Sequence, residues 1–390
     1  MDQAFGLAGQ GASAAFDRIQ VIAFFPANFC IAGPPLSPLA GTMIRLAIVG
    51  TGGMANMHAQ SFAAIEGVQV VACCDIDESR VTAFAAKHGI PGAFVGLEQL
   101  LAEADFSAAS VVTPDSTHAE LSLQLLKAGK HVLCEKPLAT TIEDADTMAR
   151  EAQQTGLINM VNFSYRNSSA WQRACEVIAN GDLGRIYHFH AHYLQSWLTS
   201  VEWGDWKTSP GWLWRLSRKH GSHGALGDIG VHLLDFATGP VGAAKSLYCH
   251  LKTFEKAEGG RIGDYVLDAN DTALITLECA NGAVGTLSIT RWATGHQNSL
   301  VLSVHGDRGA LRLDLDKSYE LMEICRVAPD GRTEPWQRIY CGKTPNIYQR
   351  FIESIRTGKQ DQPDFARGAE VQALLHACSI SSGQHSRVQL

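Results

Sequence analysis

Short apolar runs alternate with helix-like stretches along residues 43–163. A short run that is apolar at nearly every position predicts a strand buried on both faces, as in a parallel sheet. We predict such strands at Ile44–Val49, Val68–Cys74, Ala108–Val112, Lys130–Cys134 and Ile158–Phe163, with helices at Asn56–Ile65, Arg80–His88, His118–Ala128 and Ala145–Gln154. Strand and helix in turn predict an α/β domain with a doubly wound parallel sheet, which binds ligands at the carboxyl ends of its strands.

The pattern changes from about residue 186, where strand-like runs follow one another. These runs lie within residues 186–197, 271–292, 299–315 and 319–328. Asn281–Gly282 and the loop at 306–309 are typical of hairpin turns, so these strands are expected to pair antiparallel. Two helical stretches, Asn346–Thr357 and Ala366–Ser382, come last. We therefore predict a first domain over residues 43–163 and an α+β domain with a large, mostly antiparallel sheet over residues 164–390.

Residues 1–42 differ from the rest of the chain. Ile19–Gly33 is apolar, but it is too short for a bilayer span and is interrupted by Pro26. The start carries Asp2 rather than the basic residues of a secretory signal. We expect a disordered extension, such as translation from a start upstream of Met43 would add, and an export signal is the alternative.

Composition and charge narrow the class of protein. Hydrophobic residues make up 46% of the chain and charged residues 18%, which indicates an ordinary globular protein. The formal net charge of -7 gives no basic surplus, so no nucleic-acid or membrane partner is expected. Ten cysteines are scattered without a C-x-x-C pair, which favours free thiols in the reducing cytoplasm.

A glycine-rich loop joins the first predicted strand to the first helix. Its residues are Gly50, Thr51, Gly52, Gly53, Met54 and Ala55. Gly50 allows a sharp turn, Gly52 allows the backbone to approach a pyrophosphate, and Ala55 allows the helix to pack close to the strand. The helix N-terminus then supplies N–H groups to the anion. This strand–loop–helix unit predicts a dinucleotide site in a Rossmann domain.

Asp75 follows the second strand, where it can accept hydrogen bonds from a ribose 2′-hydroxyl. Its charge would repel the 2′-phosphate of NADP, so NAD is the expected cofactor. Arg80 lies near enough in sequence to help hold a 2′-phosphate, which keeps NADP open as the less favoured cofactor. Further cofactor contacts are expected just past two later strand ends, from Thr113, Pro114, His118, Glu135 and Lys136.

Several motifs occur together in a fixed order. They are AIVGTGGMA at 47–55, VVTPDSTHAE at 111–120, GKHVLCEKPLA at 129–139, NFSYR at 162–166 and GALGDIGVHLLD at 224–235. This set resembles the glucose–fructose oxidoreductase, inositol dehydrogenase and rhizopine-catabolism (Gfo/Idh/MocA) family over residues 43–385. The resemblance implies a catalytic trio of Lys136, Asp228 and His232. It also implies that the second sheet is open on one face and used for self-association.

The trio suits the oxidation of a secondary alcohol. Histidine can accept the hydroxyl proton near neutral pH, and a lysine ammonium can stabilise the developing alkoxide. If Asp228 and His232 share a helix, their i,i+4 spacing places them on one face, where Asp228 can orient the imidazole or share the proton. The alternatives are a surface role for Lys136, a helix cap at Asp228 and a packing role for His232. Glu135 is either structural or holds the nicotinamide ribose.

Substrate contacts are expected around the trio. Residues 193–197 and 212–215 are loosely similar to family members that oxidise pyranoses, and tryptophan faces often stack on sugars. The candidates, beside the trio, are Tyr165, Arg166, Gln195, Trp206 and Arg215. His188, His190 and His192 alternate on a likely strand, but no acidic or thiol ligand is clustered with them in sequence, so no metal is expected.

The resemblance implies an NAD-dependent dehydrogenase that oxidises a secondary hydroxyl of a pyranose sugar, an anhydrosugar or a cyclic polyol. A glycosidase that uses bound NAD for transient oxidation is one alternative. A non-catalytic sensor of sugar and dinucleotide is another, although it would not need Lys136, Asp228 and His232 together. The expected partners are a small-molecule substrate and further copies of the chain, in a homodimer or homotetramer formed through the second sheet.

Overall fold

The computed structural model describes residues 43–390, so the extension expected over residues 1–42 lies outside the described residues. Within residues 43–390, six strands form a parallel sheet: β1 (Ile44–Val49), β2 (Val68–Asp75), β3 (Gly92–Val95), β4 (Ala108–Val111), β5 (His131–Cys134) and β6 (Asn159–Val161). Helices α1 (Ala55–Ala63), α2 (Glu78–His88), α3 (Leu97–Glu103), α4 (His118–Lys127) and α5 (Ile142–Thr155) lie between them.

The strand order of this first sheet is β3-β2-β1-β4-β5-β6. The order reverses between β1 and β4, which is the arrangement of a doubly wound sheet, and the predicted fold class is confirmed. The sequence pattern does not predict β3 or α3. The reason is that β3 is a four-residue edge strand, GAFV, which is apolar but too short and too exposed to stand out as a buried run.

All six strands point the same way, so their carboxyl ends form one edge of the sheet. Gly50 follows β1, Asp75 ends β2, Glu135 follows β5 and Asn162 follows β6. Residues that are far apart in sequence therefore meet along this edge, where ligands of such sheets bind.

A second sheet follows α6 (Ser169–Ala179). Its strands are β7 (Ile186–Leu194), β8 (Ala244–Lys252), β11 (Thr272–Cys279), β12 (Val284–Thr290), β13 (Ser299–Gly306), β14 (Gly309–Asp314), β15 (Leu321–Arg326), β16 (Gln337–Tyr340) and β17 (Val388–Gln389). A separate short hairpin contains β9 (Arg261–Ile262) and β10 (Tyr265–Val266). The order of the large sheet is β16-β15-β14-β13-β7-β12-β11-β8-β17, with β7 and β12 parallel and the other pairs antiparallel. The predicted large, mostly antiparallel sheet is confirmed.

One face of the second sheet is covered by helices. Helix α7 (Pro210–Leu213) precedes α8 (Val231–Val241), and α8 packs on β7, β12 and β13. On the opposite face, His188, His190 and His192 point outward from β7, and His188 stacks on His305 of β13 with ring centres 6.1 Å apart. Within residues 43–390 no three His, Cys, Asp or Glu side chains form a group that could hold a metal ion.

The last helices, α9 (Ile347–Thr357) and α10 (Phe365–Gln384), return to the first sheet. Tyr348 and Phe351 of α9 share a core with Phe62 of α1. Helix α10 packs along α5, and the main-chain N–H of Val161 in β6 donates to the Pro363 carbonyl. The first sheet ends with β6 and the second begins with β7, while the C-terminal helices complete the core of the first. Each helix of the described part of the chain is too short or too polar to span a bilayer.

Candidate active site

The loop after β1 has the backbone that a pyrophosphate needs. Gly50 has a φ of +91°, and a Cβ there would stand 2.7 Å from the Val112 carbonyl oxygen, so only glycine fits. Gly52 and Gly53 differ, because a Cβ on either would meet no atom within 4 Å. Buried Ala55 begins α1 beside them. This open space at a helix N-terminus fits the pyrophosphate of NAD.

Asp75 is fixed at the edge of the sheet by its neighbours. The main-chain N–H and the hydroxyl of Thr51 both donate to Asp75 Oδ2 at 2.8 Å, and the Asp77 N–H donates to Oδ1 at 3.1 Å. Burial raises the pKa of Asp75, but these hydrogen bonds and the Arg80 charge outweigh it and hold that pKa below its usual range. The Arg80 guanidinium lies 3.6 Å from Asp75 Oδ1. The carboxylate is therefore ionised and keeps accepting capacity for a ribose.

Two apolar side chains beside this acid are open to solvent. Met54 is 50% exposed, and Ile76, directly after Asp75, is 90% exposed. Ile76 is therefore a candidate for contact with the adenosine of the cofactor, because covering its apolar surface would be favourable. Sequence reasoning singled out Met54 and missed Ile76, although an apolar residue directly after the acid that ends β2 is a usable signal.

We expect kcat/KM for NAD to exceed that for NADP by roughly 100-fold, since a 2′-phosphate at Asp75 would lose hydrogen bonds and meet like charge. Asp75→Ser should narrow this ratio, because Arg80 could then pair with the phosphate. Steady-state kinetics with both cofactors measure it. Glu78→Gln, which removes an exposed charge in the first turn of α2, is the control and should leave the ratio unchanged. Equal efficiencies in the wild type would contradict the assignment.

The loop after β4 contains the next candidates. Thr113 and Pro114 are partly or fully exposed, and the Thr113 hydroxyl accepts from Thr117 at 2.8 Å, so both remain candidates for cofactor contact. His118 is different, since it is 1% exposed and its ring nitrogens lie 2.7 and 3.0 Å from the carbonyl oxygens of Pro137 and Thr113.

The expected cofactor contact of the His118 side chain is therefore wrong. Burial lowers its pKa, but Cys134 and the two carbonyls outweigh this and raise the pKa of His118 to about 9. The ring is then an imidazolium, which can donate from both nitrogens. His118 ties the loop after β4 to the loop that contains Lys136.

Lys136 and Asp228 meet across the two sheets. Lys136 Nζ lies 3.8 Å from Asp228 Oδ1 and 3.4 Å from the Asp228 carbonyl oxygen. Both side chains are partly open to solvent. Lys136 comes from the end of β5 and Asp228 from the turn before α8, so the site lies where the carboxyl edge of the first sheet faces the second domain.

Asp228 is surrounded by cations. Arg291 Nη2 lies 2.9 Å from Asp228 Oδ2, and Arg215 Nε lies 3.9 Å from it. Arg291, at the end of β12, is fully buried and stacks over Trp197 with a separation of 4.9 Å. Burial raises the pKa of Asp228, but Arg291, Lys136 and Arg215 together hold it below its usual range. Asp228 is thus a carboxylate at neutral pH.

His232 is a neutral imidazole at the same place. Burial, aided by the charge of Lys136, lowers the pKa of His232 to about 3. Its Nδ1 is buried and has no hydrogen-bond partner within residues 43–390. Tyr165 meets the ring edge-on at 4.9 Å. A neutral histidine has a free lone pair, so it can accept a proton.

The hypothesis that Asp228 orients the imidazole is wrong in this structure. No hydrogen bond joins Asp228 and His232 in the described part of the chain, because Asp228 faces Arg291 and Lys136 instead. The cause is local. Asp228 lies in a π-helical turn, Leu226–Gly230, directly before α8, and the wider turn takes residues four apart out of line.

Tyr165 belongs to a hydrogen-bonded wall beside His232. Its hydroxyl is bonded to the Tyr193 hydroxyl and accepts from Asn298 Nδ2 at 3.0 Å. Gln195 donates to Asn298 Oδ1 at 2.8 Å and accepts from Trp197 Nε1 at 3.1 Å. This wall reaches Trp197 under Arg291, so Tyr165 and Gln195 remain substrate candidates. Asn298 is a residue that sequence reasoning missed.

The structure contradicts two substrate candidates. Arg166 is buried and makes two hydrogen bonds to Asp235, at 2.7 and 2.6 Å, so it cannot reach a substrate. Trp206 is buried in a small cluster with Trp197, and its indole N–H donates to the Leu198 carbonyl. Both residue types suit sugar binding, but here Arg166 forms a buried ion pair and Trp206 packs in the core.

Arg215 keeps its candidacy, because it is partly exposed beside Asp228. Its guanidinium stacks over Trp214 at 4.6 Å and Trp212 at 5.2 Å. Arg291 was missed by sequence reasoning, since its partner Asp228 is 63 residues away and no motif joins them.

Two family models match the chain. One, described as an oxidoreductase family with an NAD-binding Rossmann fold, matches residues 44–163, and the GFO/IDH/MocA C-terminal domain matches residues 171–312. The chain belongs to the GFO/IDH/MocA family. The family inferred from the ordered motifs is confirmed, and with it the NAD-binding first domain of this GFO/IDH/MocA protein.

Relatives match this family member along nearly their whole length. Levoglucosan dehydrogenase of Pseudarthrobacter phenanthrenivorans is 26% identical, over 89% of this chain and 98% of the relative. D-glucoside 3-dehydrogenase of Escherichia coli is 28% identical, over 91% and 99%. The solved structure of levoglucosan dehydrogenase in complex with NADH superposes with a TM-score of 0.78 at 25% identity, over 89% of this chain and 98% of that one.

Proposed function

We propose that this GFO/IDH/MocA protein oxidises a secondary hydroxyl of a pyranose sugar, an anhydrosugar or a cyclic polyol. The observation that carries the proposal is the approach of Lys136 Nζ to ionised Asp228, at 3.8 Å, by the edge of the sheet that has the open glycine loop. His232 is neutral, and its pKa responds to the charges of both. The names of the two relatives, levoglucosan and D-glucoside dehydrogenases, support the substrate class. When bound, NAD supplies the hydride acceptor.

The side chains divide the remaining work. Lys136 donates a hydrogen bond to the hydroxyl oxygen and stabilises the charge that develops there as the proton leaves. His232, neutral at working pH, accepts that proton. The Asp228 carboxylate holds the Lys136 ammonium at 3.8 Å and offsets the positive charge that His232 gains. Arg291 in turn keeps Asp228 ionised and fixed.

A screen of pyranoses, anhydrosugars and inositols with NAD, followed by the absorbance of NADH, tests the proposal. Stoichiometric NADH formation with at least one of them is the expected result. A glycosidase would instead release an aglycone from a glycoside without accumulating NADH. A sensor would bind sugar, measured by calorimetry, without either reaction.

We also propose that the protein self-associates through the open face of its second sheet. That face presents exposed apolar side chains from Tyr248, Leu274 and Val284. The histidines of β7 project from the same face. Burying such a face between two copies would remove apolar area from water. We expect a homodimer or homotetramer by light scattering. Leu274→Lys should reduce the mass, whereas Val266→Lys, outside this face on β10, should not; an unchanged mass for Leu274→Lys would contradict the proposal.

The cytoplasm is the proposed location. All cysteines of the described residues are free thiols, and several are buried. Reduced thiols are typical of the cytoplasm. Cell fractionation with antibody detection tests this.

A further inference from the structure

A buried polar cluster lies directly behind Lys136, and the mechanism above does not use it. Its centre is His58, a fully buried residue of α1. Its Nε2 lies 2.8 Å from Glu135 Oε1, and its Nδ1 lies 2.8 Å from the Ser110 hydroxyl. A carboxylate only accepts hydrogen bonds, so the proton between the first pair is on Nε2. Both ring nitrogens are thus engaged.

The Glu135 carboxylate links His58 to the main chain of Lys136. Its Oε1 accepts from His58 and from Asn162 Nδ2, the latter at 2.6 Å. Its other oxygen, Oε2, accepts the main-chain N–H of Lys136 at 3.1 Å. Burial raises the pKa of Glu135, but His58, Asn162 and Lys136 outweigh it and lower the pKa to about 2. The carboxylate therefore stays charged and is bonded on both oxygens.

The cluster joins five elements that pack around the first sheet. His58 comes from α1, Ser110 from β4, Glu135 from the end of β5 and Asn162 from the end of β6. Tyr348 of α9 closes it, with its ring edge-on to His58 at 5.0 Å and its hydroxyl 3.3 Å from Asn162 Nδ2. A polar group buried at this depth is costly unless its hydrogen bonds are made, so the bonds that are made restrict the geometry. Asn162 Oδ1 is the one side-chain oxygen of this cluster that is buried without a partner among the described residues.

We propose that His58 is a positioning residue for Lys136. It holds the Glu135 carboxylate, which in turn fixes the peptide from which the lysine side chain projects. His58 lies on the helix whose N-terminus faces the open glycine loop, so the loop and the lysine are held in one rigid unit. The proposal rests on the proposed function only in giving Lys136 a catalytic task.

Three variants separate positioning from general stability. His58→Leu removes both ring hydrogen bonds, whereas His58→Gln retains an amide N–H that can donate to Glu135. His131→Leu is the matched control, because His131 is also a buried histidine with a hydrogen bond, from the Ile158 N–H to its Nδ1, at the other end of β5. His131 begins β5, the strand that leads to Glu135 and Lys136, and it lies at the end away from the lysine.

We expect His58→Leu to lower kcat by about 10- to 100-fold, as a small displacement of a reacting group can. KM for the sugar and Kd for NAD, measured by quenching of protein fluorescence, should change by less than about threefold, since the groups that bind them remain. His58→Gln should recover most of kcat. His131→Leu should lower Tm as much as His58→Leu does, with kcat unchanged.

Amide hydrogen exchange provides a readout that needs no substrate. The peptide containing Lys136 should exchange faster in His58→Leu than in wild type or His131→Leu, because the Lys136 N–H loses a fixed acceptor. If no sugar reduces NAD in the wild type, the proposed function fails and this measurement still tests the positioning. If His58→Leu does not fold, Ser110→Ala, which removes the hydrogen bond to His58 Nδ1, takes its place. The loss of kcat and the faster exchange at Lys136 are then expected in the same direction but smaller.

Two results would overturn the proposal. One is a kcat of His58→Leu equal to wild type together with unchanged exchange at Lys136. The other is an equal loss of kcat in His131→Leu, because the effect would then reflect the stability of β5 as a whole.

Discussion

Replacing Lys136 by alanine should lower kcat by about 100- to 1,000-fold, the usual effect of removing a preorganised donor to a developing oxyanion. The Lys136 ammonium lies just past the end of β5, within 4 Å of Asp228 Oδ1 and of the Asp228 carbonyl oxygen. It is partly exposed to the cleft. Among the described residues, the other cations around Asp228 are held elsewhere, because Arg291 is buried against that carboxylate and Arg215 stacks over two tryptophans.

NAD binding should survive the same change, since the glycine loop and Asp75 do not depend on the lysine side chain. Turnover with the best sugar and a fluorescence titration with NADH measure the two effects. Lys127→Ala, at the exposed end of α4, is the control and should behave as wild type. Near-normal turnover of Lys136→Ala would reject the role of the lysine.

Replacing His232 by glutamine should lower kcat by about 100- to 10,000-fold, the range attributed to a positioned general base. Glutamine keeps much of the volume and a polar end but cannot accept a proton at working pH. His131→Gln, at another buried histidine whose pKa burial lowers to about 4, is the matched control and should retain activity. A His232→Gln variant that turns over normally would assign proton transfer to another group.

The pH dependence of the wild type gives a second test of His232. The base must be neutral, and the pKa of His232 in the free enzyme is about 3 because burial and Lys136 disfavour its charged form. An ordinary histidine would lose its function as pH falls below about 6.5. We therefore expect kcat/KM to stay level as pH falls from 8 to about 5, and an acid limb near 6.5 would contradict this environment.

Local pattern was enough to predict most elements of the first domain, although it missed β3 and α3. Apolar runs predicted β1 and β2, and Asp75 lies at the end of β2 as expected. The one strand missed there, β3, is stabilised by pairing with β2 rather than by a pattern of its own. The glycines at 50, 52 and 53 likewise predicted the loop after β1, because the constraint on Gly50 is a local one of backbone geometry.

Residue roles that depend on distant partners were not predictable in this way. Arg166 has the type and place of a substrate contact, but the Asp235 carboxylate, 69 residues later, accepts from its Nε and Nη2. His58 resembles any histidine of an amphipathic helix until Glu135, 77 residues later, comes within hydrogen-bond distance. The π-helical turn at Asp228 leaves no clear signal in the sequence.

The return of the last helices to the first sheet sets an order for synthesis on the ribosome. Ile347, Phe351 and Ile352 of α9 fill the same core as Phe62 and Ile48, so that core cannot close until nearly the whole chain has left the exit tunnel. Domains that are continuous in sequence can fold as soon as they emerge. Here the nucleotide-binding half must wait for the second sheet, with apolar surface uncovered meanwhile. A premature stop shortly before α9 should therefore prevent the first domain from folding stably, although all of that domain's own strands would have been synthesised.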